Sequence, residues 1–246
     1  MLTQKKNLEL AGLSFQEELR VANMLNFPRG KFPMNYLGFP ISPDKISKNQ
    51  FNYIPEKIEK KLSFWNCDTL SYGGRDVLIN SCLSSIPIYS MGCYLLPEGI
   101  HQKLDSIRGR FYWSGIGDKR KFHMAKWRDM SFPKEFGGLG FTDTRYMNFA
   151  LLSKWIFDIL SVKESLCLNL LRKTYLSSHN FFSKNGVGAS QFWKGLMQVK
   201  RWFWIGSSWK CATGENIRFW SDVWYGDVPF KVKYYKLFII WSSKMF

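Results

Sequence analysis

The sequence predicts a mainly α-helical protein with two minor β elements. At least five segments repeat apolar residues at three- and four-residue spacing, the signature of amphipathic helices. Only two short runs look like strands, and both are bounded by Pro, Gly or Asn. With 46% hydrophobic and 17% aromatic residues, including 11 Trp and 21 Phe, the 246-residue chain has the ring area to build a core. That length allows one large domain or two small ones.

The elements follow in order. Residues 1–30 read as one amphipathic helix and a turn, with Phe15, Leu19, Ala22 and Leu25 on a stripe. Ser14 is its N-cap, and Pro28-Arg29-Gly30 stops it. Tyr36–Ile41 is a short apolar run, and Pro40 marks it as an edge hairpin near 31–42. From Lys48, Phe51, Ile54, Ile58, Leu62 and Trp65 define a second helix, with Lys57, Lys60 and Lys61 on its other faces. Arg75–Leu96 is apolar nearly all round, so a central buried helix is expected, divided by Pro87. After Pro97, Ile100, Leu104, Ile107 and Phe111 share one stripe that ends near Ser114-Gly115.

Residues 115–140 are loop-rich and basic. Thr142 or Asp143 then caps a helix carrying Phe149, Leu152, Ile156 and Ile159. A shorter helix at Leu166–Tyr175, a Ser/Asn/Gly linker and a last helix at Gln191–Phe203 complete the helical part. Thr213-Gly214-Glu215-Asn216 predicts a second hairpin near 207–220.

Charge narrows the partners. Lys and Arg number 35 against 19 Asp and Glu, a net +16, so polyanions come first: nucleic acid or an anionic membrane. The apolar run Ser81–Pro97 is too short to span a bilayer, and the N-terminus is a poor signal peptide, so a soluble nuclear or cytoplasmic protein is expected. The five cysteines are scattered without zinc spacing and read as buried reduced thiols. No cofactor and no metal are expected. No two aspartates are adjacent, and no Walker loop, HExxH or GxSxG appears. The three histidines are isolated. Gly137-Gly138-Leu139-Gly140 lacks dinucleotide-loop spacing and reads as a turn with positive-φ glycines.

The basic stretch is more telling. Lys103, Arg108, Arg110, Lys119, Arg120, Lys121, Lys126 and Arg128 face only Asp105 and Asp118, interleaved with Phe111, Tyr112, Trp113, Phe122 and Trp127. Cations for phosphates beside rings for bases suit nucleic acid. The plainer alternative is a solvated basic loop whose rings serve the core. A membrane surface is disfavoured because these rings follow the core stripe.

Ordered blocks then become recognisable. Phe32–Ile41 (FPMNYLGFPI), Lys60–Trp65 (KKLSFW), Leu70–Ser81 (LSYGGRDVLINS) and Ser85–Tyr89 (SIPIY) are followed by Arg110–Gly115 (RFYWSG) and Lys126-Trp127. Pro133–Phe141 (PKEFGGLGF), Asn148–Trp155 (NFALLSKW) and Gly214–Trp224 (GENIRFWSDVW) complete the series. In this order they resemble plant LINE-type (non-LTR) retrotransposon reverse transcriptases over about residues 15–240.

The resemblance implies a division into a palm end with a primer-grip-like hairpin (1–47), a helical thumb-like bundle (48–115) and a helical connector (116–246). The connector leads toward a zinc-binding domain whose ligands are expected beyond Phe246. It also implies that this chain is no enzyme, because the palm aspartates of two-metal polymerisation are absent, although the parent family is RNA-directed DNA polymerase. Departures at residues 1–14 and at the last six residues suggest a truncated or decayed copy. Sequence-independent binding of RNA or an RNA–DNA hybrid is then expected of Tyr36, Leu37, Gly38, Lys60, Lys61, Arg75, Arg108 and Arg110. Lys119, Arg120 and Lys121 would add an electrostatic arm. The alternative is a decayed product that self-associates through an exposed apolar thumb face.

Overall fold

The computed structural model describes residues 14–26, 32–36, 38–42, 44–65, 70–114, 123–161, 163–176, 181–183, 188–208, 210, 214 and 217–243. Among them eleven α-helices and one two-stranded antiparallel sheet are formed, so the mainly α reading holds. The chain divides into two compact units, residues 1–152 with 185–196, and residues 153–184 with 197–246.

In the first unit, helix α1 (Phe15–Leu25) begins with a complete capping box between Ser14 and Glu17 and ends on Asn26 in the left-handed region. Strands β1 (Met34–Tyr36) and β2 (Phe39–Ile41) pair with Asn35 opposite Pro40, and Gly38 turns between them at φ +77°. A 3₁₀ turn, Lys48–Asn52, leads into α2 (Tyr53–Leu62), which buries Ile54, Ile58 and Leu62.

The expected continuous helix over 75–96 is broken more thoroughly than its composition suggests. Helix α3 (Tyr72–Leu78) passes into a π-helical turn (Ile79–Leu83), and after Pro87 the chain resumes as α4 (Ile88–Cys93). It is buried on one face only. Ile79, Leu83 and Met91 are sealed, while Val77, Ile88 and Tyr89 face solvent.

Helix α5 (Glu98–Ser114) is the axis of this unit, with Ile100, Leu104, Ile107 and Phe111 all buried. Helix α6 (Trp127–Met130) and the turn at Lys134–Phe136 follow. The glycine run there is a turn, as its composition predicts. Gly137 and Gly140 have φ of +82° and +73°, and a Cβ on Gly138 would lie 1.9 Å from the Phe132 carbonyl oxygen. The Gly138 and Gly140 amides donate to Pro133 and Phe132 rather than facing a phosphate. Helix α7 (Thr144–Leu160) starts on Asp143, whose carboxylate accepts the Arg145 N–H at 2.8 Å. One core joins Ile46, α2, the π-helical turn, Met91, α5, Met130 and Phe141.

In the second unit, helix α8 (Leu166–Tyr175) sends Arg172 back to the α7 carbonyls of Asp158 and Ile159, satisfying the orphan acceptors of a helix end. A 3₁₀ turn, Phe181–Ser183, precedes α9 (Gln191–Gly206), three residues longer than expected. Helices α10 (Phe230–Lys233) and α11 (Tyr235–Ser243) lie beyond the last helix the periodicity predicts.

The hairpin expected at 207–220 needs correction, because none of its described residues is in a strand. The Asp222 carboxylate accepts the Arg218 N–H, and the Arg218 carbonyl accepts from Ser221 and Asp222. At these described residues the backbone is satisfied locally and forms no ladder. The remaining residues of that expectation lie outside the described set, as do residues 1–13 and 27–30 of the first helix and its turn.

Candidate nucleic-acid interface

The expected contact residues are scattered between surface and interior. Lys60 and Lys61 are exposed in the last turn of α2, where their charge also complements the helix C-terminus. Arg110 on α5 is 61% exposed and reaches Glu59 of α2 at 3.1 Å. Tyr36 and Gly38 are exposed on the hairpin. Leu37, Lys119, Arg120 and Lys121 lie outside the described residues.

Two arginines must be removed from the site. Arg108 is 1% exposed. It donates to Asp105 at 2.6 Å and to the Thr142 carbonyl at 2.9 Å, and it lies 5.0 Å over the Trp127 ring. Arg75 is also buried; it donates to the Tyr112 carbonyl at 2.9 Å and stacks on Tyr72. The Arg108 charge is paired with the Asp105 carboxylate, and the Arg75 guanidinium is held by a carbonyl and a ring, as burial of a charge requires partners. Neither faces a phosphate.

The rings interleaved with the cations are likewise structural. Phe111, Tyr112 and Trp113 are buried, and Trp127 stacks on Phe141 at 4.8 Å. Phe122 lies outside the described residues. The thiols are less hidden than expected, since Cys167 is exposed and Cys82 and Cys93 are half-buried, while Cys67 and Cys211 fall outside the described set. Burial pushes the Cys93 thiol pKa up, away from reactivity.

Beneath the surface cations runs a paired charge cluster. Arg145 bonds Glu98 at 2.6 Å and Asp105 at 2.6 Å, and Asp105 in turn holds Arg108. Burial lowers the Arg108 pKa despite Asp105. For Arg145, burial also opposes the charge, but the bonds to Glu98 and Asp105 together outweigh it and raise the pKa. His101 is buried beside this cluster, its Nδ1 2.8 Å from the Thr144 hydroxyl, and burial lowers its pKa. These groups neutralise one another and build the fold.

What remains open is a groove of about 390 Å³ between α2 and α5, lined by Asn52, Pro55, Glu56, Glu59, Lys103, Ser106, Ile107 and Arg110. Lys103 donates to the Asn52 side chain at 2.8 Å, leaving further ammonium protons for a ligand. The sequence reading did not place Lys103 in the site. Its position seven residues before Arg110, two helical turns on the same face, was the signal that could have done so. Glu56 and Glu59 share the groove, so a phosphate would approach along the Lys103 and Arg110 side.

Among the described residues no three His, Cys, Asp or Glu side chains gather closely enough to hold a metal, and no helix is long and apolar enough to cross a membrane.

Comparison with known proteins decides the family. The Arabidopsis thaliana protein named "Uncharacterized mitochondrial protein AtMg00310" is 32% identical over 146 residues, covering 58% of this chain and 94% of that protein. The chain belongs to its family. A second Arabidopsis thaliana protein, "Putative ribonuclease H protein At1g65750", is 33% identical over 194 residues, or 77% of this chain. The chain spans 31% of that relative's length. No family model matches the chain.

Proposed function

We propose that the chain is a non-catalytic segment of the LINE-type reverse-transcriptase lineage that holds RNA or an RNA–DNA hybrid weakly, through its backbone and without reading sequence. The observation that carries this reading is a groove that presents Lys103 and Arg110, with Lys60 and Lys61 exposed in the last turn of α2, in a chain of net charge +16. Phosphate contacts of this kind position a strand but do not read bases. The ordered blocks named above support the lineage, and a relative named for ribonuclease H supports nucleic acid as the ligand class. The sequence has no adjacent aspartates with which to hold two catalytic metals.

The test compares two triple variants in RNA binding across a salt series. Lys60→Gln, Lys61→Gln and Arg110→Gln together should weaken binding to all sequences alike. They should also flatten the log–log salt slope by about 0.7–0.9 per lost phosphate contact. The control, Lys154→Gln, Lys173→Gln and Lys236→Gln, removes equal charge from exposed positions of the second unit. Equal losses from both triples would mean diffuse attraction and would end the groove assignment.

A second reading, self-association, is favoured by a separate observation. Phe15, Leu19 and Leu25 of α1 are all exposed, although they form its apolar stripe. Sedimentation at several protein concentrations tests it: a monomer throughout excludes it.

A further inference from the structure

The second unit contains a partly enclosed cavity of about 100 Å³, well above the ~15 Å³ that one water needs. Its apolar walls are Phe157, Leu160, Phe182, Phe203, Trp204 and Val223, and its polar atoms come from Ser161, Ser207, Ser208 and Asp222. Phe182 and Trp204 touch at 5.4 Å between centroids, their planes tilted by 59°. Two cations lie against these rings. The Arg218 guanidinium is 5.2 Å from the Phe182 centroid and 5.8 Å from that of Trp204, and Lys231 Nζ is 5.0 Å from the Trp204 ring.

We propose that this cavity takes one base of a single-stranded RNA, with the adjoining phosphates on Arg218 and Lys231. Flat aromatic walls suit a π-faced ligand. The buried Asp222 carboxylate accepts the Arg218 backbone N–H at 2.9 Å and pairs with the Arg218 guanidinium at 3.4 Å; it excludes anions from the interior, and its remaining lone pairs accept from a base N–H. The hydroxyls disfavour an acyl chain, and Lys231, with the solvent-facing N–H groups of Arg218, is charge-complementary to a phosphodiester. This inference rests on the nucleic-acid reading above but places the base contact in the other unit, on residues the groove does not use.

The experiment measures the full chain's affinity for a six-nucleotide oligoadenylate and for an abasic oligomer of equal length and charge. The base-bearing strand should bind about tenfold tighter, the scale of one base–aromatic stack. Trp204→Leu should erase that preference. Because Trp204 also packs internally, Ser161→Leu, an exposed wall position whose larger side chain fills the cavity, should erase it too without removing a ring. Equal wild-type affinity for both strands overturns the pocket and leaves the backbone reading standing. A preference that survives both variants overturns the pocket as well. No binding of either strand overturns both readings. Adenosine monophosphate competing as well as the oligomer would make this a nucleotide site and overturn the strand assignment.

Discussion

In α5 the apolar residues Ile100, Leu104, Ile107 and Phe111 fall on one stripe, and each is at most 6% exposed. In α11 Leu237, Ile239, Ile240 and Trp241 are each at least 43% exposed. Both helices are rich in apolar residues, and spacing separates them. Intervals of three or four residues put the α5 side chains on one face that neighbouring elements cover. The run Leu237–Trp241 is consecutive, so its side chains point all round the helix, and no one neighbouring element covers them all. Its rings pack among themselves instead, Trp220 against Phe238 and Trp241 at 5.7 Å each. Charge divides in the same way. Around α5, Arg108 and Arg145 are spent on carboxylates, whereas near the C-terminus Lys231 lies over a ring and Arg218 divides between rings and the Asp222 carboxylate at 3.4 Å. The amount of apolar surface therefore says little about where the core is; its period says a great deal.

The sharpest way to break this comparison is one truncation in each helix. Leu104→Ala removes a fully buried side chain and should cost about 3 kcal/mol, through lost burial and the cavity left behind. Ile240→Ala removes an exposed one and should stay within about 0.5 kcal/mol. Urea unfolding followed by circular dichroism reads both. Similar losses would mean that α11 is covered in solution and that the contrast is false.

A polar pair sharpens it at a smaller scale. Asn148 is fully buried on α7; it accepts the Leu96 N–H at 2.8 Å and donates to the Met91 and Tyr94 carbonyls at 2.7 and 2.9 Å. It therefore satisfies three backbone groups of the turn between α4 and α5. Asn148→Ala leaves all three unpaired in the interior and should cost about 2 kcal/mol. Asn169→Ala, at an exposed position on α8 where the side chain accepts from Arg172, should be near neutral in the same titration.

Much of the helical fold was legible because it is written in spacing and caps. Ser14, Asp143 and the stripes of α2, α5 and α7 are local signals, and the structure uses them as expected. The described residues 217–220 form a turn rather than the expected strand because Asp222 takes the backbone of Arg218, a side-chain bond that no propensity shows. The site was legible only in part. Arg108 and Arg110 are two residues apart and look alike in a basic run, yet one is buried on Asp105 and the other is exposed. A two-residue step turns a helix by about 200°, so adjacent cations of one run must point to opposite sides. Reading the run against the α5 stripe would have put Arg108, next to Ile107 and four residues after Leu104, toward the core.

The smallest effect concerns pH and isolates the buried side of the same helix. His101 is buried on α5, against Thr144, with Arg145, Glu98, Asp105 and Asp143 around it. Its pKa is lowered from the ordinary 6.5, by burial first and by Arg145 second, with the three carboxylates opposing. The folded state therefore binds the proton less readily than the unfolded chain. Stability should be full above pH 6.5 and should fall as pH drops below it, because the unfolded state gains protons first. Glu98 acts in another window. Its pKa is lowered from 4.5 by the Arg145 hydrogen bond, so its contribution is intact above that value and is lost only in stronger acid. Unfolding midpoints between pH 7.5 and 5.5 thus report the histidine. His101→Gln, which keeps a hydrogen-bonding side chain without a titrating ring, should flatten the decline in that range. An unchanged decline in the variant would show that the pH dependence arises elsewhere, and that the interior around α5 tolerates a charged imidazole better than its sealed packing implies.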